Sequence, residues 1–135
     1  MNQIQEKFQI QNVEAKLSSL WVFLLFNMIF KDLHDLLRPG LLAEMMEGMS
    51  ISESMLLVAG MLLEIPIGMI FLSRILPPKF NRWANLIAAI ILLVSFLIFG
   101  PIDLDDYFFL LMQIIGLGLI MWYAWTWPKM LTELL

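Results

Sequence analysis

Four stretches of this chain, near residues 17–37, 55–76, 83–101 and 107–127, each approach the ~20 consecutive apolar residues that cross a ~30 Å hydrocarbon core. Inside a bilayer a backbone finds no water to hydrogen-bond, so stretches of this length are read as transmembrane helices. The composition agrees, with 61% hydrophobic residues, eleven Met and five Trp in 135 residues. A soluble core of this size does not need so much apolar surface. The expected fold is therefore all-α: residues 1–135 form a single membrane domain, a four-helix bundle. The chain has no Cys, which removes disulfides, thiol nucleophiles, thiolate metal sites and c-type haem attachment together.

Residues 1–16 lack a compact apolar core followed by small residues, so they do not read as a signal peptide. Ile4 and Phe8, spaced i, i+4, suit either a short surface helix or a solvated tail. Basic residues near the span ends set the orientation. Lys7 and Lys16 precede the first span, Arg74, Lys79 and Arg82 surround Pro77-Pro78, and Lys129 follows the fourth. The positive-inside rule then predicts a multi-pass protein with both termini, including residues 1–16, in the cytoplasm. The other two connections carry Glu44, Glu47 and Glu53, and Asp103, Asp105 and Asp106. The net charge of −4 is thus mostly an external acidic face, and nucleic acid is not an expected partner.

Local signals mark the connections. Pro77-Pro78 ends the second span, with Asn81 a candidate cap for the third, and so short a turn makes these spans antiparallel neighbours. Between the first and second spans, Leu41, Leu42, Met45, Met46 and Met49 fall on one side at helical spacing, with Glu44 and Glu47 opposite. This predicts a short outer interfacial helix, which either closes the bundle or covers an external cavity. Trp21, Trp83, Trp122, Trp125 and Trp127 sit near span ends and read as interfacial anchors.

Glu64 stands near the middle of the otherwise uncharged 55–73 stretch. Roughly a dozen aliphatic and aromatic residues at about −0.3 to −0.6 kcal/mol each outweigh one acid at about +3, so the segment still inserts. An intramembrane acid is commonly functional or paired. Gly60, Glu64 and Gly68 fall at i, i+4, i+8, which lets a neighbouring helix approach and predicts that Glu64 faces the bundle interior. Pro66 removes a backbone donor to the Leu62 carbonyl and predicts a kink with a spare acceptor.

In the first span, Asn27, Lys31, His34, Asp35 and Arg38 lie within about 100° of one another, with Asp32 to the side. Such a face either emerges into water, with Lys31 and Asp35 a surface i, i+4 pair, or lines a cavity. Only fourteen uncharged residues, 17–30, precede Lys31, about 21 Å of helix, so Lys31 and Asp32 fall within the outer leaflet. Counting about 1.5 Å per residue, Asn27, Lys31, Glu64 and Gln113 lie roughly 9 to 15 Å below the outer ends, with Ser95 at a similar level. These residues form the candidate polar layer, in which Glu64 is expected to be protonated or paired with Lys31. Asn85, near the cytoplasmic end, is set apart as a cap or cross-link. No metal or cofactor is expected: His34 and Asp32 lie about 160° apart on a helix and cannot share one ion.

The segments LSSLWVFLLFNMIF-KD with the following RPG, LLEIPIGMIFLSRILPPKFNRWANLI, and IMWYAWTWP resemble an uncharacterised family of small bacterial four-helix integral membrane proteins, a domain of unknown function. The resemblance covers residues 17–128 and is most specific in the EIP...LSR...NRWAN block. Its matching features are Asp32, Pro39-Gly40, Glu64-Ile65-Pro66 and Asn81-Arg82-Trp83. It implies four spans in a bacterial inner membrane and brings no activity or ligand. Relatives often carry Glu where this chain has Gln113, a departure that weakens a two-carboxylate mechanism.

Two functions remain from the sequence. One is a proton- or ion-coupled transporter or channel-like homo-oligomer that uses Glu64 as a protonatable site. The other is a non-catalytic binding or accessory protein whose inter-helix pocket holds a small-molecule or lipid-like ligand or a partner helix. Enzyme chemistry has less support, and the lipid bilayer is a partner in either case. Two small-residue faces suit close packing, Asn85, Ala88, Leu92 and Ser95 on the third span and Gln113, Gly116, Ile120 and Ala124 on the fourth. One is expected within the protomer and the other between protomers.

Overall fold

The computed structural model describes residues 2–48 and 52–127. Among them are five helices: α1 (Gln3–Leu36), α2 (Leu41–Met46), α3 (Glu53–Ile75), α4 (Pro78–Phe99) and α5 (Leu104–Trp125). Four are long and apolar enough to span a bilayer, and α2 is the short helix expected between the first two spans. The turn before α5, with Asp103, marks one end of the bundle, the acidic end. Pro77 and Pro78 mark the other, the proline end.

Residues 3–16 are neither a separate surface helix nor a tail, because they continue into the first span as one 34-residue helix. At the usual rise α1 is about 50 Å long, so it projects beyond a ~30 Å hydrocarbon layer. Its buried apolar positions Leu17, Trp21, Leu24 and Met28 alternate by four and three residues. The same spacing recurs at Asn81, Asn85, Ala88 and Leu92 in α4, and at Gln113, Leu117, Ile120 and Ala124 in α5. This is the seven-residue period of a left-handed bundle seam. Both small-residue faces are thus used inside the protomer, which corrects the expectation that one would pack between protomers. Gly116 shows why the small residue is needed: a Cβ there would lie 3.2 Å from the Phe23 ring on α1.

The helices pack in the cyclic order α1, α3, α4, α5, with the α3–α4 pair the most sparsely packed. Among the described residues, the side-chain hydrogen bonds between those two lie at the proline end. Pro66 is buried and α3 runs through it as one helix from Glu53 to Ile75. On α2, Gly40 supplies the left-handed turn (φ 94°) that starts the helix, and Leu42 and Met46 are exposed, as an interfacial helix requires. Met49 and Lys129 lie outside the described residues.

Two of the five Trp are not interfacial anchors. Trp21 and Trp127 are buried in the core, whereas Trp83, Trp122 and Trp125 are exposed near the proline end. The reason for Trp21 is a polar cluster inside that end. Its indole Nε1 donates to Asn85 Oδ1 at 2.6 Å, which also accepts from Ser73 Oγ at 3.2 Å. Asn85 Nδ2 donates to Asn81 O and Oδ1 at 2.8 and 2.7 Å, and Asn81 Nδ2 donates to Ser73 O at 2.8 Å. Asn81 therefore does not cap its own helix. It satisfies carbonyls at the end of α3, including that of Leu76. Ser18 adds a bond to Ile70 O at 2.9 Å. Buried polar groups need partners, and in lipid water is not one of them, so the cluster locks α1, α3 and α4 together at the proline end.

Candidate functional site

At the acidic end the first helix meets the start of the last one. Asp106 is the third residue of α5, and its Oδ2 accepts from the Ile102 and Asp103 N–H groups at 3.0 and 3.4 Å. A carboxylate is favoured there because the first N–H groups of a helix have no helical partner and carry partial positive charge. The other oxygen, Oδ1, is buried, accepts no hydrogen bond and lies 3.3 Å from Lys31 Nζ.

The polar face of α1 engages this turn. Lys31 Nζ is 2.7 Å from Asp35 Oδ2, so the i, i+4 pair forms, and the same ammonium also reaches Asp106. Arg38 lies 2.7 Å from Asp103 and 3.2 Å from Asp35, and His34 Nε2 lies 3.1 Å from Asp105. Asp103, Asp105 and Asp106, at the start of α5, are thus docked on α1. One expectation is corrected. Lys31 takes Asp35 and Asp106 as partners in place of Glu64, because the turn brings Asp106 to it. Oxygens of Asp35, Asp105 and Asp106 lie within 4.8 Å of one another. Lys31, Arg38 and His34 already take them up, and we assign no metal to them.

Behind this cluster is a cavity of about 330 Å³ between α1, α3, α4 and α5. Lys31, Asp32, Asp106, Gln113 and Ser95 give it a polar side, while Met28, Leu62, Leu63, Phe96 and Leu110 are among its apolar walls. Gln113 is 2% exposed, and Asp106 likewise. Seven residues separate them on α5, about 10 Å, so the polar side descends from the acidic end toward mid-bundle. Ser95 Oγ donates to its own helix at Ile91 O (2.7 Å) and presents lone pairs to the cavity. Ala59, Leu62 and Phe99 are shared with a second, apolar groove between α3 and α4 that also involves Ser54, Met55 and Val58. The cavity therefore opens sideways, through the loosest helix pair, toward the position of the lipid. None of the described residues of α2 lines it.

Of the residues expected to form the polar site, Lys31, Asp32, Ser95 and Gln113 come together here, and Gly60, expected only to aid packing, also lines the cavity. Asn27, His34, Asp35 and Glu64 do not. The Asn27 amide bonds to Phe23 O at 2.9 Å, and Asn27 and His34 line a shallow apolar cleft between α1 and α5. Glu64 is exposed, contrary to the expectation that it faces the bundle interior. The buried stripe of α3 is Pro66, Met69 and Ser73, and Glu64 lies about 160° and 140° from the first two. The flanking glycines do not bring a helix close: a Cβ at Gly60 or Gly68 would meet nothing within 4 Å. By sequence alone Asp106 is one of three acids in a connection. The signal that sets it apart is the Asp103-x-x-Asp106 spacing before an apolar run, a capping pattern.

No curated protein and no solved structure matches the chain. Residues 6–133 match the family of unknown function DUF6326, and with nearly its whole length covered the chain belongs to that family.

Proposed function

We propose that this membrane protein binds a small amphipathic molecule in the cavity between its four long helices, with the polar head against Lys31, Asp106 and Gln113 and the apolar part in the α3–α4 groove. The observation that carries this reading is the continuity of a half-polar cavity with an apolar groove along the most sparsely packed helix pair. Ligand pockets are mostly apolar with a few placed polar groups, and between the helices of a bundle is a common location. Proton-coupled transport through Glu64 has less support, since that carboxyl lies off the cavity. The test is a photoreactive alkanol added to the protein in nanodiscs, with adducts mapped by mass spectrometry. Labelling should concentrate on Val58, Ala59, Leu62 and Phe99, and Ala59→Trp should abolish it. Labelling spread evenly over outward residues such as Phe71 and Ile75, or unchanged by Ala59→Trp, overturns the reading.

A homo-oligomer is proposed separately, on the face that carries Gly60, Glu64 and Gly68. A mid-span carboxyl exposed on the protomer is costly against lipid. A second copy would give it a hydrogen-bonding partner out of the lipid, across a surface that the glycines leave open to close approach. Gly60→Leu should shift the particle in native nanodiscs from dimer to monomer. A wild-type protein that is strictly monomeric there removes the dimer.

A further inference from the structure

The binding reading leaves the head group of the ligand open, and the polar side of the cavity is not neutral toward it. Lys31 is the one cation among the lining residues, against the carboxylates of Asp32 and Asp106. That ammonium is already committed, 2.7 Å from Asp35 and 3.3 Å from Asp106. The nearest further cation, Arg38, is held by Asp103 and Asp35. Around the cavity mouth two cations thus face four carboxylates, Asp32, Asp35, Asp103 and Asp106, with His34 and Asp105 a separate pair.

Hydrogen-bonding capacity points the same way. Asp106 is 2% exposed, and its Oδ1 accepts no hydrogen bond while Oδ2 is spent on the start of α5. Ser95 has given its only proton to Ile91 O. Asp32 offers only acceptors as a carboxylate. Gln113 can act in either sense, and it too is 2% exposed. The lining therefore has acceptors to spare and its one ammonium engaged. An anionic head would meet two carboxylates of like charge; a cationic donor head would give Asp106 Oδ1, whose one charged neighbour is the Lys31 ammonium it shares with Asp35, a donor closer than 3.3 Å.

We propose that the site, if it binds an amphiphile at all as set out above, selects a cationic, hydrogen-bond-donating head: a protonated primary amine on an aliphatic chain. The ammonium sits between Asp106 Oδ1, Asp32 and the Gln113 carboxamide oxygen, and the chain leaves between α3 and α4.

The test is competition against the photoreactive alkanol in nanodiscs, with dodecylamine, dodecanol and sodium dodecyl sulfate compared at equal mole fraction in the bilayer. Chain length is the same in all three, so the head alone differs. Dodecylamine should displace the label at about tenfold lower mole fraction than dodecanol, the least expected of one charge-assisted hydrogen bond in place of a neutral one. Asp32→Asn, at an exposed position that spares the α5 cap, should remove most of that advantage, and Asp106→Asn should remove it as well. Equal displacement by amine and alcohol overturns the cation preference and leaves the amphiphile site standing. Strongest displacement by the sulfate overturns it in favour of Lys31 as an anion site. Failure of all three to displace a label that does map to the groove overturns the head-group site, whereas absence of groove labelling overturns the binding reading beneath it.

Discussion

Asn85→Leu tests whether the polar cluster at the proline end holds the bundle together. The substitution keeps side-chain size close to that of Asn and removes four hydrogen bonds: those accepted from Trp21 Nε1 and Ser73 Oγ, and those donated to Asn81 O and Oδ1. The losses are unequal. Ser73 has a rotatable hydroxyl, and Asn81 keeps its bond to Ser73 O. The Trp21 indole, with 0% exposure, has no other acceptor in reach among the described hydrogen bonds. Stranding a buried donor costs about 1–3 kcal/mol, while interhelical bonds in membranes average only about 0.6. The expected loss is about 2 kcal/mol, roughly thirtyfold in the folding equilibrium. Trp21→Phe leaves Asn85 Oδ1 with Ser73 and should cost about 1 kcal/mol in hydrogen bonding. The double mutant should be less destabilised than the sum by about 1 kcal/mol, since each single change already breaks the shared bond. Unfolding by dodecyl sulfate in mixed micelles, followed by near-UV circular dichroism, gives all three values. An Asn85→Leu protein within about 0.5 kcal/mol of wild type, or strict additivity, refutes the view that this cluster locks the helices.

The two glycines of α5 give opposite outcomes for one substitution. Gly118→Ala faces open space and should gain about 1 kcal/mol of helix propensity. Gly116→Ala presses on the Phe23 ring at 3.2 Å and should gain nothing, and Gly116→Leu should lower the melting temperature clearly. If thermal melts rank Gly116→Leu with Gly118→Leu, the close α1–α5 approach is wrong. Glu64→Leu exchanges an exposed mid-span acid for an apolar residue and should favour insertion by about 3 kcal/mol, read in a translocon insertion assay on the 53–75 segment. Unchanged insertion would mean that Glu64 does not reach the hydrocarbon. The orientation is checked on a chain with no Cys of its own. Single Cys at Ser52 and Asp105 should react with an impermeant maleimide on intact cells, and one at Lys79 only after lysis. Labelling of Lys79 from outside reverses the topology.

The elements of this protein were legible in its sequence because their signals are local. Span length follows from runs of apolar residues, the α3–α4 turn from Pro77-Pro78, and α2 from the helical spacing of its Leu and Met residues opposite Glu44 and Glu47. Counting residues places Asn27, Lys31, Glu64, Ser95 and Gln113 at one depth, and of these Lys31, Ser95 and Gln113 line one cavity. What counting does not supply is rotation. In lipid, apolar residues suit the outside of a helix as well as the inside, so hydrophobic periodicity gives little sign of which face packs. Glu64 between two glycines looked like an inward face, yet the α3 stripe through Pro66, Met69 and Ser73 turned it outward. Trp21 looked like an interfacial anchor until Asn85, 64 residues away, supplied its acceptor. The partner of Lys31 was decided by the turn that sets Asp106 beside it. Depth along each helix was written in the chain, while azimuth and pairing were decided by polar groups that have no water to bond and must find one another across the bundle.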